Sequence, residues 1–334
     1  MRVLAIETSC DETAAAVLES GWTLRSNVVA SQAELHAPFG GVVPEIASRR
    51  HVELITSVIC LALEQAGVTL RDVEGLAVTN RPGLIGSLMV GVMAAKGLAL
   101  AGSLPLVGVH HIEGHIFSNF LCTGGPHLPA VALVASGGHT DLYYVRHLHD
   151  YFVLGRRRDD AAGEAFDKGA RALGLGSGGG AALDRAARDG DPHAVPFPRV
   201  RTDPPLDFSF SGLKTALVRH VRDHAASLHV ADVAAAYQSA IVEALVERAV
   251  KAIRLTKAPT LLVGGGVAAN SLLQSRLREE AARGGFEVLL PPPELCTDNA
   301  GMIAAVGHNL LDRGQRHDLD LDVMAREPLT LRAY

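Results

Sequence analysis

The chain has 334 residues, 48% of them hydrophobic and 20% charged, a balance that buries large cores and excludes intrinsic disorder, fibrous repeats and disulfide scaffolds. The length predicts two lobes, because a single core stops growing before so much chain is used. A net charge of −5 excludes a whole-molecule cationic field, so any nucleic-acid contact must be local.

In chain order, Val3–Ile6 and Ala14–Leu18 read as strands around a polar turn, and the apolar run before Glu7 is too short for a signal peptide. Cys10, Cys60, Cys122 and Cys296 form no C-x-x-C pair, which points to a reducing, cytoplasmic compartment. Pro44–Ala66 reads as a helix, with Ile55, Val58, Ile59 and Ala62 at i, i+3, i+4 and i+7. Leu84–Val109, whose one charge is Lys96, is long enough to cross a bilayer. Its glycines and Pro105 break it into a buried helix and a following strand, so no membrane association is expected.

Laying Ala130–Val145 over Val3–Leu18 pairs Ala132 with Ala5, Ser136 with Ser9 and Thr140 with Thr13. Both segments set a polar or glycine-rich turn between apolar strands, which predicts two duplicated lobes facing a common cleft. Asp189–Pro205, with five prolines, reads as a surface loop. Val242–Ile253 repeats the helical spacing, and Leu261–Val263 runs through Gly264–Gly266 into a helix from about Asn270 to Ala282. A strand at Phe286–Leu290, a boundary at Pro291–Pro293 and a last helix over Asp298–Leu311 follow.

His111 and His115 are the sharpest chemical signal, since imidazoles at i and i+4 share a helix face and converge on one metal ion; hydrogen-bonded histidines at a helix start are the alternative. Glu113 does not follow His111 directly, so the zinc-peptidase pattern is absent. Asp298 is a candidate third ligand or, alternatively, the N-cap of the last helix. The Ser136–Thr140 turn offers backbone N–H groups to an anion or is a plain hairpin. Gly264–Asn270 opens onto a helix N-terminus that favours anions, without the acidic ribose partner of a nicotinamide site. Asp159–Lys168 is read as hydroxyl-recognising carboxylates or as a solvated helix face, and Ser211–Thr215 lacks the glycines of a phosphate loop. Arg49–Arg50 and Arg156–Arg158 are local cationic groups that suit nucleic-acid phosphates or are merely solvated.

Together Ile6–Thr13, Gly40–Glu45, His110–His115, Ser136–Thr140, Asp159–Lys168, Asp207–Thr215, Gly264–Asn270 and Cys296–Asn299 resemble, in order and at family-like spacing, the TsaD family of tRNA N6-adenosine threonylcarbamoyltransferases, bacterial in form. The resemblance implies an α/β, actin-like ATPase fold (the sugar kinase, Hsp70 and actin class) with two duplicated lobes around a nucleotide cleft. Residues 1–117 with 296–334 would form the first lobe and 118–295 the second. It implies one divalent metal ion, Fe2+ or Zn2+, on His111, His115 and Asp298. Val134, Ala135, Ser136, Gly137 and Gly138 would line the phosphate and acyl part of the substrate; Asp167, Gly180, Asp184 and Asn270 would meet its nucleoside. Asp11 and Glu12 are catalytic candidates. The implied reaction moves the threonylcarbamoyl group of threonylcarbamoyl-AMP to N6 of the adenosine next to the anticodon, position 37 of tRNA, with a smaller paralogous (TsaB-like) subunit and a small (TsaE-like) ATPase as partners. A kinase-like phosphotransferase and a non-catalytic nucleotide-binding subunit are the competing functions. Arg81 stands where the family has glycine, which predicts a strained turn, and Gly176–Ala181 replaces a proline-containing loop.

Overall fold

The opening apolar run becomes strand β1 (Arg2–Glu7), whose residues from Val3 onward are fully buried. It pairs antiparallel with β2 (Glu12–Glu19), Ile6 facing Ala15, and β2 pairs antiparallel with β3 (Thr23–Ser31). This computed structural model describes residues 1–199 and 201–334. Helix α1 (Pro44–Ala66) starts on a proline that has no N–H to leave unsatisfied and stops at Gly67, in the left-handed conformation at φ +67°. It buries Ile55, Val58, Ile59 and Ala62, as the periodicity requires. Strand β4 (Gly75–Arg81) adds parallel to β1, helix α2 (Ile85–Gly102) follows, and β5 (Leu106–His110) adds parallel to β4 before helix α3 (His111–Thr123). The sheet order is β3-β2-β1-β4-β5.

Helix α2 departs from the fully buried helix expected over this stretch. Leu88, Val92, Ala95 and Ala99 enter the core, whereas Ile85, Met89, Met93 and Leu100 stay exposed. By length and composition it is apolar enough to cross a membrane; here its inner face packs with Leu4, Ile6 and Val78.

The second half repeats this plan. Strands β6 (Ala130–Ala135), β7 (Thr140–His147) and β8 (Asp150–Gly155) form an antiparallel meander. Helices α4 (Ala162–Ala172), α5 (Gly179–Ala186), α6 (Ser211–Asp223) and α7 (Val230–Thr256) come next. Strand β9 (Thr260–Gly264) joins parallel to β6; helix α8 (Ser271–Gly284) leads to β10 (Glu287–Leu289), parallel to β9. The order β8-β7-β6-β9-β10 reproduces that of the first sheet. Strand pairing sets the correspondence: Val3 faces Leu18 and Gly75 as Ala130 faces Val145 and Thr260, so Val3 answers to Ala130. That is the register in which the sequence lays Ala130–Val145 over Val3–Leu18.

Chain contacts divide the molecule into Met1–Pro126 with Thr297–Leu329 (unit 1) and His127–Cys296 with Thr330–Tyr334 (unit 2). Helix α3 runs through residue 117 and stays whole in unit 1. The last five residues join unit 2 because Val153 N–H donates to Arg332 O and Tyr334 N–H to Val153 O, which extends the sheet beyond β8. Helix α9 (Ala300–Asp312) returns to unit 1 and packs on β1, β2 and α3. The proline-rich 189–205 stretch is irregular, with Val200 outside the described residues. Among the described residues no disulfide joins any of the four cysteines.

Candidate active site

In unit 1, β5 delivers its chain directly into α3, so His110 caps the helix by accepting from Ile112 N–H (3.2 Å) and His111 is its first residue. One turn later His115 lies on the same face, the two ring centroids 4.7 Å apart. Asp298 meets both: its Oδ1 is 3.4 Å from His111 Nε2 and 3.2 Å from His115 Nε2. The alternative use of Asp298 as helix N-cap is taken by its neighbour, since Asn299 Oδ1 accepts from Met302 N–H at 3.0 Å. Asp298 is thereby left for the histidines.

These three side chains fit a metal ion. One ligand atom from each lies within 4.8 Å of the others. Both ring nitrogens of His115 are buried and neither makes a well-aligned hydrogen bond, Nε2 only facing the Asp298 carboxylate, a cost that a cation at Nε2 would relieve. His111 is oriented by its other nitrogen, because Nδ1 lies 3.1 Å from Glu7 Oε2 and 3.1 Å from Ser9 Oγ, which directs Nε2 toward Asp298. Glu7 is itself fixed: it accepts from Ser9 N–H (2.5 Å) and Thr79 Oγ1 (2.6 Å) and is wholly buried. Burial opposes charge on His111, but Asp298 and Glu7 outweigh it and hold the imidazole well above its ordinary value. Burial likewise opposes ionisation of Asp298, yet His111 and His115 keep it well below the carboxylate range. His115, dominated by burial, is lowered, as is His110, to about 4.

Asp11 and Glu12 sit at the β1–β2 turn. Burial, followed by the charges of Asp298 and Asp11, pushes the Glu12 carboxyl up to about 9, although Ser31 Oγ donates to it at 3.2 Å. His51 holds this turn from below: its Nε2 is 3.0 Å from the Cys10 carbonyl and its Nδ1 2.8 Å from Thr13 Oγ1.

Unit 2 carries a hollow of about 440 Å³ lined by Gly137, Asp167, Gly180, Asp184 and Asn270, together with Arg185. Five of the nine residues expected at the substrate therefore share one pocket. Val134 and Ala135 are fully buried strand residues outside its lining, and Ser136 and Gly138 belong to the β6–β7 hairpin turn, where Ser136 N–H donates to His139 O at 2.8 Å. Helix α4 closes on that turn through Gly163, whose N–H donates to Ser136 O; a Cβ there would lie 2.5 Å from the same oxygen. Asp167 Oδ1 accepts from Gly180 N–H at 2.9 Å. Asn270 caps α8 through Leu273 N–H (2.9 Å) while its amide donates to Gln238 (2.9 Å) and Asp184 (3.3 Å).

The remaining motifs are architectural. Asp159 accepts from Ser209, Phe210 and Ser211, and Asp160 accepts from Lys168 and Lys214.

The family model described as tRNA N6-adenosine threonylcarbamoyltransferase matches residues 23–305. The chain belongs to the TsaD family. The tRNA N6-adenosine threonylcarbamoyltransferase of Syntrophus aciditrophicus is 52% identical over 98% of each chain. Among solved structures, component A of the Acidaminococcus fermentans (R)-2-hydroxyglutaryl-CoA dehydratase covers 92% of this chain and 98% of its own (TM-score 0.56, 12% identity). A ROK family glucokinase from Streptomyces griseus covers 92% and 99% (TM-score 0.50, 12% identity). These two share the actin-like ATPase fold with this chain and, at such identity, the fold alone. Glucokinase likeness thus gives the phosphotransferase reading no support, while TsaD membership makes the chain a transferase of tRNA modification.

Within this TsaD chain, Arg81 is not strained. It is absent from the residues with positive φ, and its guanidinium pairs with Glu327 (2.6 Å) and donates to Asn80 Oδ1 (2.7 Å). Sequence reasoning missed Glu7, Thr79, His51 and Gln238. For Glu7 a signal existed: a carboxylate ending an otherwise apolar strand must have a partner.

Proposed function

We propose that this TsaD-family transferase uses threonylcarbamoyl-AMP as donor and the adenosine at position 37 of tRNA as acceptor. The N6 amine attacks the donor's carbamoyl carbonyl, a C–N bond forms, the C–O bond to phosphate breaks, and AMP leaves with the electron pair while the amine gives up a proton. The observation that carries the reading is the convergence of His111, His115 and Asp298 in a chain of this family. Two imidazoles and a carboxylate suit Fe2+ or Zn2+. When bound, such a cation supplies Lewis-acid stabilisation of negative charge on carbonyl or phosphate oxygens.

Glu7 holds the His111 tautomer. Asp11 and Glu12 are proposed for proton transfer; a Glu12 carboxyl pushed up to about 9 holds its proton at neutral pH and suits a proton donor. In unit 2, Asp167, Asp184 and Asn270 are proposed to recognise nucleoside hydroxyls and ring nitrogens, and Gly137 and Gly138 to offer N–H groups to phosphate, with Val134, Ala135 and Ser136 holding that turn. The acceptor base lies in a single-stranded loop, where little pairing energy opposes its entry. A smaller paralogous subunit and a small ATPase are proposed as partners, the exposed Met89, Met93 and Leu100 of α2 offering an apolar contact surface. The cytoplasm, where tRNA resides, is the proposed location.

The test is reconstitution of the chain with those partners, L-threonine, bicarbonate, ATP and unmodified tRNA. Nucleoside mass spectrometry should find threonylcarbamoyladenosine; its absence with demonstrably active partners refutes the reading.

A further inference from the structure

Unit 2 gathers arginine along one sheet edge. Arg146 stands near the end of β7, Arg156, Arg157 and Arg158 follow β8, and Arg332 lies on the terminal segment paired with β8. Among the described residues, two carboxylates are within ion-pair distance of them: Asp150 meets Arg146 (2.7 Å) and Arg332 (3.0 Å), and Asp207 meets Arg158. Arg156 and Arg157 donate instead to backbone carbonyls, those of Thr330 (2.7 Å) and Asp159 (2.9 Å). A carbonyl orients a guanidinium without neutralising it; the charges of Arg156 and Arg157 also act on the buried Asp141, so five guanidiniums stand against the three carboxylates of Asp141, Asp150 and Asp207.

Some arginines elsewhere are matched outright. Arg50 is matched by Glu53, and Arg276 by Glu243 and Glu279. In a chain of net charge −5, the β8 edge is a local cationic excess. It is also concave, with Arg156, Arg157 and Arg158 lining a hollow of about 380 Å³ together with Pro204 and Leu331. Aromatic rings stand on the same sheet edge, outside the lining of the hollow: Tyr334, 55% exposed, packs edge-on against Tyr144 (centroids 5.1 Å) and Phe152 (6.4 Å), and Arg146 lies 5.1 Å over Phe152. Guanidinium groups in excess of carboxylates, on the same sheet edge as an exposed ring, match the phosphates and bases of a polynucleotide.

We propose that the β8 edge, through Arg157 and Arg332 with Arg156 behind them, binds backbone phosphates of the tRNA substrate. The proposal rests on the tRNA-modifying reading above and adds the surface that holds the RNA.

Its test compares the full chain, with its partners, as wild type, Arg157→Glu/Arg332→Glu and Arg157→Lys. Binding of unmodified tRNA is measured across a salt series, alongside KM for tRNA, KM for threonylcarbamoyl-AMP and the melting temperature. The double charge reversal should weaken tRNA binding roughly tenfold or more near 0.1 M salt and flatten the log–log salt slope by about 0.7–0.9 for each phosphate that is no longer neutralised. KM for threonylcarbamoyl-AMP and the melting temperature should not move, and Arg157→Lys should stay near wild type. Unchanged tRNA affinity and slope in a folded double variant overturn the proposal while leaving the transferase reading intact. Release of a protein partner with tRNA affinity preserved overturns it too, in favour of a protein interface. Failure of the wild type to bind or modify tRNA removes both.

Discussion

Glu7 and Ala135 close equivalent strands, β1 and β6, in two sheets of one topology, yet they serve opposite constructions. In unit 1 the strand ends on a buried carboxylate that reaches His111, and the site is made of side chains converging from β1, α3 and the start of α9. In unit 2 the strand ends on a methyl group, and Gly265, at φ +87°, brings its own backbone against the Ala135 carbonyl, closer than any side chain would permit. The pocket beside it is shaped by glycines and capped helix ends. One duplicated plan yields a charged centre suited to holding an ion and an open hollow suited to holding a flat ligand.

The comparison breaks if the two sites are not separable. Asp298→Ala should abolish metal binding, beyond about 100-fold in affinity, because it removes a ligand and leaves two histidines that cannot close the site. Adenine-nucleotide affinity of the unit 2 pocket should be unchanged; equilibrium dialysis with zinc and fluorescence titration with nucleotide read the two separately. Glu7→Gln keeps the shape but loses the charge behind His111 and should weaken zinc about 10- to 100-fold, with Glu7→Asp recovering part of the loss. Equal metal affinity in wild type and Glu7→Gln would mean that the carboxylate serves folding alone.

A pH series sharpens the contrast. His111 must be neutral to bind a cation, and its metal-free value is held well above 6.5. Apparent metal affinity should therefore climb about tenfold per pH unit through neutrality, with one proton released per ion, detectable by calorimetry in buffers of different ionisation enthalpy. The same proton stabilises the metal-free fold fully below about pH 6.5, and that stability is lost as pH rises through the raised value. The smallest effect is expected in unit 2. Asn270→Ala removes the α8 cap, about 1 kcal/mol, and strips the buried Gln238 carbonyl of its donor, roughly 1–3 kcal/mol. Chemical denaturation should show that loss and nucleotide titration a weaker pocket, with zinc binding intact.

How much of this the sequence disclosed follows the range of each interaction. Helix α1 was legible to the residue, since Pro44 and Gly67 punctuate it locally. His111 and His115 were legible because helical spacing alone sets them side by side. The duplication was legible down to its register, because Ala130–Val145 laid over Val3–Leu18 matches the residues that pair alike in the two hairpins and the two parallel ladders. Asp298 was ambiguous against its own neighbour, because either residue caps a helix equally well on paper. Glu7 and Thr79, 72 residues apart, meet only through the parallel sheet, and Gln238 reaches Asn270 only once α7 and α8 are packed. Contacts between distant elements leave no periodicity behind.

The three side chains suited to the metal lie on both sides of unit 2 in the chain: His111 and His115 precede it and Asp298 follows its main segment. During synthesis the two imidazoles leave the ribosome long before their carboxylate, and the complete centre cannot assemble until nearly all of unit 2 has been translated and α9 has found its seat. Any cation that these three side chains hold is therefore taken up late in the life of each new molecule, after the intervening half of the polypeptide has been made.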